Sequence, residues 1–326
     1  MSYWVVTRKT GLLHLASWLA KELPGQVRVT TLHERAEKQA WRGLLVKERV
    51  DVRRTPAELL ADFTGTLVTD DRRWTAAAQA KGLRCFGTLA EPEGASQSEF
   101  AVGGWWDGGK LAAGHWLVVD WGLWPFGLGP RLVGGVSLVR SGGKLPDAVP
   151  AGVGEVLDRA GFRGYVAVDM RWDGEAGGWL PGAIRPGWGH FGGWPALALL
   201  HDCVKVEAVL GGEAPALGYA VTVAVPLSSP PYPFSAREAP EPAPLELDAA
   251  TQAGLVFCDV AKGRRGLETA GVDGNLGLAL GRGASAYSAR QAVGAVARAV
   301  SAPQWRPDAG GLLDGFLLHL EQTGWL

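Results

Sequence analysis

Cysteine is scarce in this chain. Cys85, Cys203 and Cys258 are the only three in 326 residues, and they lie far apart. Three such thiols cannot complete a disulfide framework, and none sits in a zinc-type pair. A reducing compartment is the simpler expectation, and with it a cytoplasmic protein. An excess of charge of either sign is also lacking. The formal net charge is −1, so no basic face is demanded and nucleic acid is not an expected partner. Long apolar runs are missing too. None approaches the roughly 20 residues that span a bilayer, and the opening MSYWVVTRKT lacks the order of a secretory signal. Neither membrane insertion nor secretion is expected, and no internal repeat is evident.

What the chain has in quantity is glycine and tryptophan: 47 Gly and 15 Trp, against five Tyr. Nine of the Trp residues fall between positions 105 and 194. Tryptophan can fill a core around glycine turns. It can also form an aromatic platform for a flat ligand or a partner, self-association included. The apolar fraction of 47% and charged fraction of 20% are those of a globular protein long enough for two or three packed units.

Periodicity sets the expected elements. Strands are expected at residues 3–7, 27–31, 65–69 and 83–87, with helices at 12–23, 56–63 and 75–81. Leu12, Leu15, Ala16 and Leu19 share a face of the first helix, Thr55 caps the second, and Gly82 ends the third. Strands alternating with helices imply a small parallel sheet. Further on, residues 105–109 suggest a hairpin and 151–160 a helix. Residues 165–170 and 179–184 read as strands joined by the acidic, glycine-rich turn 173–178. A glycine-rich loop, 185–193, leads to a helix over 195–210 that Gly211 and Gly212 terminate. Strands are expected over 217–226, 254–260, 264–272 and 275–280. Residues 281–283 read as a turn, and 288–300 and 312–322 as helices. The seven prolines between 226 and 244 mark a long irregular loop.

The order strand, turn, strand, glycine loop, helix across residues 161–201 resembles the end of the ATP-grasp core in phosphoribosylamine–glycine ligases. "KGLRCFG" at 81–87, the Gly129-Pro130 and Gly134-Gly135 loop, "GNLGLALGRGASAYSARQAV" and "QWRPDAG" resemble other motifs of that family in the same order. The resemblance implies an α/β chain with a small Rossmann-like N-terminal sheet (1–88), a shortened ATP-grasp core (89–212) and an α+β C-terminal domain (213–326). A sizeable ATP-clamping segment of the family has no counterpart after residue 100.

The family makes an acyl-phosphate from ATP with magnesium. Where its second strand and loop carry acidic and amide ligands, this chain has Pro181, Ala183, Arg185, Gly187, Trp188, Gly189 and His190. Pro181 and Ala183 bring no side-chain oxygen, so no catalytic residue and no metal ligand is expected. ATP and magnesium would be cofactors only of an active site. The resemblance instead implies a degenerate relative that takes a small anionic or ribose-phosphate ligand. Its binding residues would be Arg8, Lys9 and Gly11 at the first strand-to-helix turn, Gly129, Pro130, Arg131, Gly134 and Gly135 in the middle loop, and Arg185 and Gly187. The alternatives are an active ATP-dependent carboxylate–amine ligase with a rebuilt site, or a structural or protein-interaction role. Other polar residues are expected to be bland. Asp169 should face a cleft or solvent, Asp173 and Glu175 should be solvated, His14 should pack part-buried, His190 and His201 form no metal pair, and Ser228 and Ser229 lack a triad's company.

Overall fold

The computed structural model describes residues 2–8, 10–33, 39–51, 53–89, 100–106, 108–109, 116–122, 135–141, 151–188, 194–202, 205–211, 219–229, 241–272, 274–300, 305, 315 and 318–323. The first unit is a parallel sheet of β1 (Tyr3–Thr7), β2 (Val27–Thr31), β3 (Thr66–Thr69) and β4 (Cys85–Phe86), in the order β2-β1-β3-β4. β1 is buried along its whole length, as a central parallel strand must be when helices cover both faces. α1 (Leu13–Glu22) buries Leu13, Leu15, Ala16 and Leu19. α2 (Pro56–Leu59) is a single turn opened by a capping box of Thr55 and Glu58. α3 (Arg72–Ala80) starts three residues before the expected point, because the Asp71 carboxylate accepts from the N–H groups of Arg73 and Trp74.

The second unit is an eight-stranded sheet in which every pairing is antiparallel. Its strands are β5 (Phe100–Trp106), β6 (Trp116–Gly122), β7 (Gly135–Ser141), β8 (Gly164–Asp173), β9 (Gly178–Pro186), β10 (Val221–Ser228), β11 (Leu255–Phe257) and β14 (Asn275–Gly283). Their order is β11-β14-β10-β7-β6-β5-β8-β9. β10 pairs directly with β7, so the sheet runs unbroken across residue 212. The remaining strands, β12 (Val260–Gly263) and β13 (Gly266–Thr269), form a separate hairpin. α4 (Ala151–Arg159) sets Val153 and Leu157 against Trp106, Phe162 and Val166.

Several local expectations give way. The helix expected over 195–210 is two, α5 (Trp194–Asp202) and α6 (Val206–Gly211). The Glu22 carboxylate of α1 accepts from the N–H groups of Val206 and Glu207 at 3.0 and 2.8 Å, and so caps a new start. Residues 281–283 are the end of β14 and not a turn. A Cβ on Gly281 would lie 2.0 Å from the Val293 nitrogen, so glycine lets α8 (Ala286–Ala299) lie directly on the strand. The strand expected over 254–260 divides into β11 and β12 around Asp259, whose carboxylate accepts from Val272 and Gly274 N–H. A short helix, α7 (Ala249–Ala253), capped by Asp248, was not anticipated. Of the closing helix, residues 315 and 318–322 are helical among the described ones. Trp105, Trp106, Trp179 and Trp188 are all buried, so tryptophan builds core here. Cys85 and Cys258 are buried and take no part in a disulfide among the described residues.

Candidate functional site

In a parallel sheet of order 2-1-3-4, the crevice outside the carboxyl ends of β1 and β3 is the natural place for a ligand. The turn after β1 holds Arg8, which is exposed, and Gly11, whose carbonyl lies 3.8 Å from Cys258 Sγ. Lys9 lies outside the described residues. The donors of this turn already have an acidic partner. Asp70, directly after β3, accepts from Thr7 Oγ1 at 2.8 Å and from the Arg8 backbone N–H. Burial pushes the Asp70 carboxyl up to about 6, against the lowering effect of those two hydrogen bonds.

Beside this edge, β4 continues into Gly87 and Thr88 and meets the end of β9. Gly187 has φ +110, and a Cβ there would lie 2.5 Å from the Thr88 Cα. Its glycine is therefore required for close backbone packing. Trp188 follows, fully enclosed. Its indole N–H donates to Phe86 O at 3.0 Å, its backbone N–H donates to Thr88 Oγ1 at 3.0 Å, and its ring meets Trp105 edge-on.

Arg185, two residues before Gly187, meets Asp169 on β8. Its Nε lies 3.1 and 3.0 Å from the two carboxylate oxygens and its Nη2 lies 2.8 Å from Oδ2. The side chains are 13% and 3% exposed. Asp169 was expected to face a cleft or solvent and instead lies buried in this pair. The anion that Arg185 meets in this structure is internal. Gly135 begins β7 opposite Gly122, while Gly129, Pro130, Arg131 and Gly134 lie outside the described residues, as does His190.

A third polar cluster lies where α1 meets the second unit. His14 Nδ1 accepts from Phe257 N–H at 2.6 Å, and its ring is packed against Trp18, Trp41 and Phe257. Desolvation, followed by repulsion from His201 and Lys21, lowers His14 to about 3. His201 contacts Arg282, whose guanidinium covers the Tyr219 ring. A cavity of about 410 Å³ opens at the opposite, amino-terminal edge of the small sheet, between Trp4, Arg28, Asp51, Asp62 and Phe63.

No family model and no curated protein sequence matches the chain. Solved structures do. Phosphoribosylamine–glycine ligase from Thermotoga maritima superposes with a TM-score of 0.55 at 13% identity, over 94% of this chain and 99% of that one. The biotin carboxylase domain of a single-chain bacterial carboxylase gives 0.57 at 8%, over 99% of both. N5-carboxyaminoimidazole ribonucleotide synthetase from Thermotoga maritima gives 0.51 at 12%, over 92% and 99%. The fold is ATP-grasp. At these identities the likeness is one of architecture.

Within the ATP-grasp frame, magnesium between phosphates needs several oxygen ligands. Pro181 and Ala183 of β9 supply none, and the register of β8 against β9 slips beside them, between Val168 and Met170. Among the described residues, no group of three or more His, Cys, Asp or Glu is placed to hold a metal. The residues on β9 do not fit the ion. The acceptor missed in the sequence is Asp70, and the pairing of Asp169 with Arg185 is missed with it. Asp169 lies on β8 and Asp70 directly after β3, each against an expected anion-binding group, a relation that only the pairing of distant strands reveals.

Proposed function

We propose that this ATP-grasp-fold chain does not perform carboxylate–amine ligation of the phosphoribosylamine–glycine type, and that its ligand is a small anion or ribose phosphate. The observation that carries the reading is the engagement of Arg185 by Asp169, beside β9 positions that offer no oxygen to a metal. Phosphoryl transfer depends on cations and metal poised on the transferring group. An arginine neutralised by its own chain is not poised in that way. With the Arg8 N–H and Arg185 occupied, the ligand falls to Lys9, Arg131 and the glycine loop around 129–135. Calorimetry with ATP and magnesium tests the first part, with no micromolar, magnesium-dependent binding expected. Such binding would overturn it. Titration with ribose 5-phosphate tests the second, and loss of its heat in Arg131→Met is expected.

The end-to-end superposition on three ATP-grasp enzymes favours a second reading, an active ligase with a rebuilt site. Release of ADP on adding ATP, glycine and an amine would establish it.

A further inference from the structure

The cavity at the amino-terminal edge of the small sheet is built from separate pieces of chain. Trp4 comes from β1, Arg28 from β2, Leu59 from α2, and Asp62 and Phe63 from the turn before β3. Residues 48–51 form its outer wall. Glu48 N–H donates to Val29 O at 2.7 Å and Thr30 Oγ1 donates to Glu48 O at 3.1 Å, which ties that stretch along the free edge of β2. The floor is apolar. Trp4 and Phe63 are buried and meet edge-on, 5.5 Å between ring centroids, with Leu59 packed in the same cluster.

Charge at the mouth is unevenly committed. Asp51 is taken by Arg53, whose Nε and Nη2 lie 2.9 and 3.0 Å from its two oxygens. Arg28 Nε stands 3.7 Å from Glu48, too far for a hydrogen bond. Arg54 gives an N–H to the Glu58 carbonyl at 2.9 Å, and a guanidinium has five to give. Asp62 has no ion-pair or hydrogen-bond partner among the described residues. The lining thus offers spare guanidinium donors, one uncommitted carboxylate and an apolar floor. A guanidinium fork suits a carboxylate, a lone carboxylate suits an ammonium, and the floor suits a hydrocarbon side chain. An α-amino acid carries all three groups on one carbon. A volume of about 410 Å³ is that of a small-molecule pocket.

We propose that this cavity binds a free α-amino acid with an apolar side chain. Its carboxylate meets Arg28 and Arg54, its ammonium meets Asp62, and its side chain lies over Trp4 and Phe63. The crevice beside Asp70 is at the opposite edge of the sheet, so the proposal stands whether or not the chain ligates.

The test is calorimetric titration of the full chain with L-phenylalanine, 3-phenylpropionate and phenethylamine. L-Phenylalanine is expected to bind one per chain with a dissociation constant of about 1 mM. Each analogue lacks one charge and is expected to bind about fivefold more weakly. Asp62→Asn removes a group with no partner to lose, so its melting temperature should match the wild type. It should bind L-phenylalanine about fivefold more weakly and 3-phenylpropionate more tightly than the wild type does. Arg54→Gln should weaken both carboxylates, and Arg28→Gln repeats that arm from β2 if loss of the Glu58 contact lowers the melting temperature. No saturable binding of L-phenylalanine, an analogue that binds as tightly, or variants that keep the wild-type affinities overturn the proposal.

Discussion

Asp169 and Arg185 have opposite sensitivities to being changed singly and together. Asp169→Ala takes the carboxylate from a buried guanidinium and should cost about 3–5 kcal/mol, while Asp169→Leu with Arg185→Met should come close to neutral. Denaturant midpoints of the three proteins check this. His14 and Asp70 make a second opposed pair. The folded pKa of His14 is depressed to about 3, so its contribution is present above the unfolded value near 6.5 and is lost as pH falls from there. The folded pKa of Asp70 is raised to about 6, so its contribution is complete below the unfolded value near 3.8 and is lost as pH rises toward 6. Each slope is about 1.4 kcal/mol per pH unit, and between pH 4 and 6 they largely cancel. His14→Asn keeps an acceptor for Phe257 N–H without the titration. It should turn that flat stretch into one where acid stabilises, and Asp70→Asn should do the reverse. Unfolding curves across that range decide it. The packing role of His14 was legible in its apolar helix. The burial of Asp169 was not, because a strand's alternation says which residues share a face but not which face is covered.

At the level of elements, the misread boundaries share one cause: a cap or a close approach supplied from elsewhere. The break between α5 and α6 is set by Glu22, some 180 residues earlier in the chain. No local signal in the apolar run marks it. Glu22→Ala should cost about 1 kcal/mol and speed hydrogen exchange at the amides of Val206 and Glu207 while leaving α5 protected. Gly281-Arg282-Gly283 reads as a turn because two glycines flank a polar residue. The actual use of Gly281 is to admit the backbone of α8. Gly281→Ala has no side chain to push aside, only backbone atoms of Ala289 and Val293. It should therefore destabilise by more than about 3 kcal/mol, the upper range of overpacking, with a lowered melting temperature as the readout. By contrast, β1, α1, β2 and the α2 cap were readable because each is specified by neighbours in sequence.

Over the whole molecule, the alternation of strands and helices in residues 1–88 was enough to anticipate a parallel sheet. The motif order was enough to anticipate ATP-grasp architecture. What could not be read was the joining of β7 to β10 and of β5 to β8, since pairings between distant strands leave little trace in either partner alone. A fragment ending at residue 212 would bare the edge of β7. Unpaired edges invite association, so that fragment should be aggregated or oligomeric in sedimentation, whereas the full chain should not show this edge-driven behaviour.

The enclosed indole of Trp188 acts as a rivet between the two sheets. The indole N–H and the Trp188 backbone N–H both donate into the exit of β4, and the glycine before them lets the backbones touch. Any swing of the small sheet away from β8 and β9 must first draw that ring out of its socket. A cleft here can widen only by pivoting somewhere other than this seam, and a load applied to one sheet is passed directly to the other.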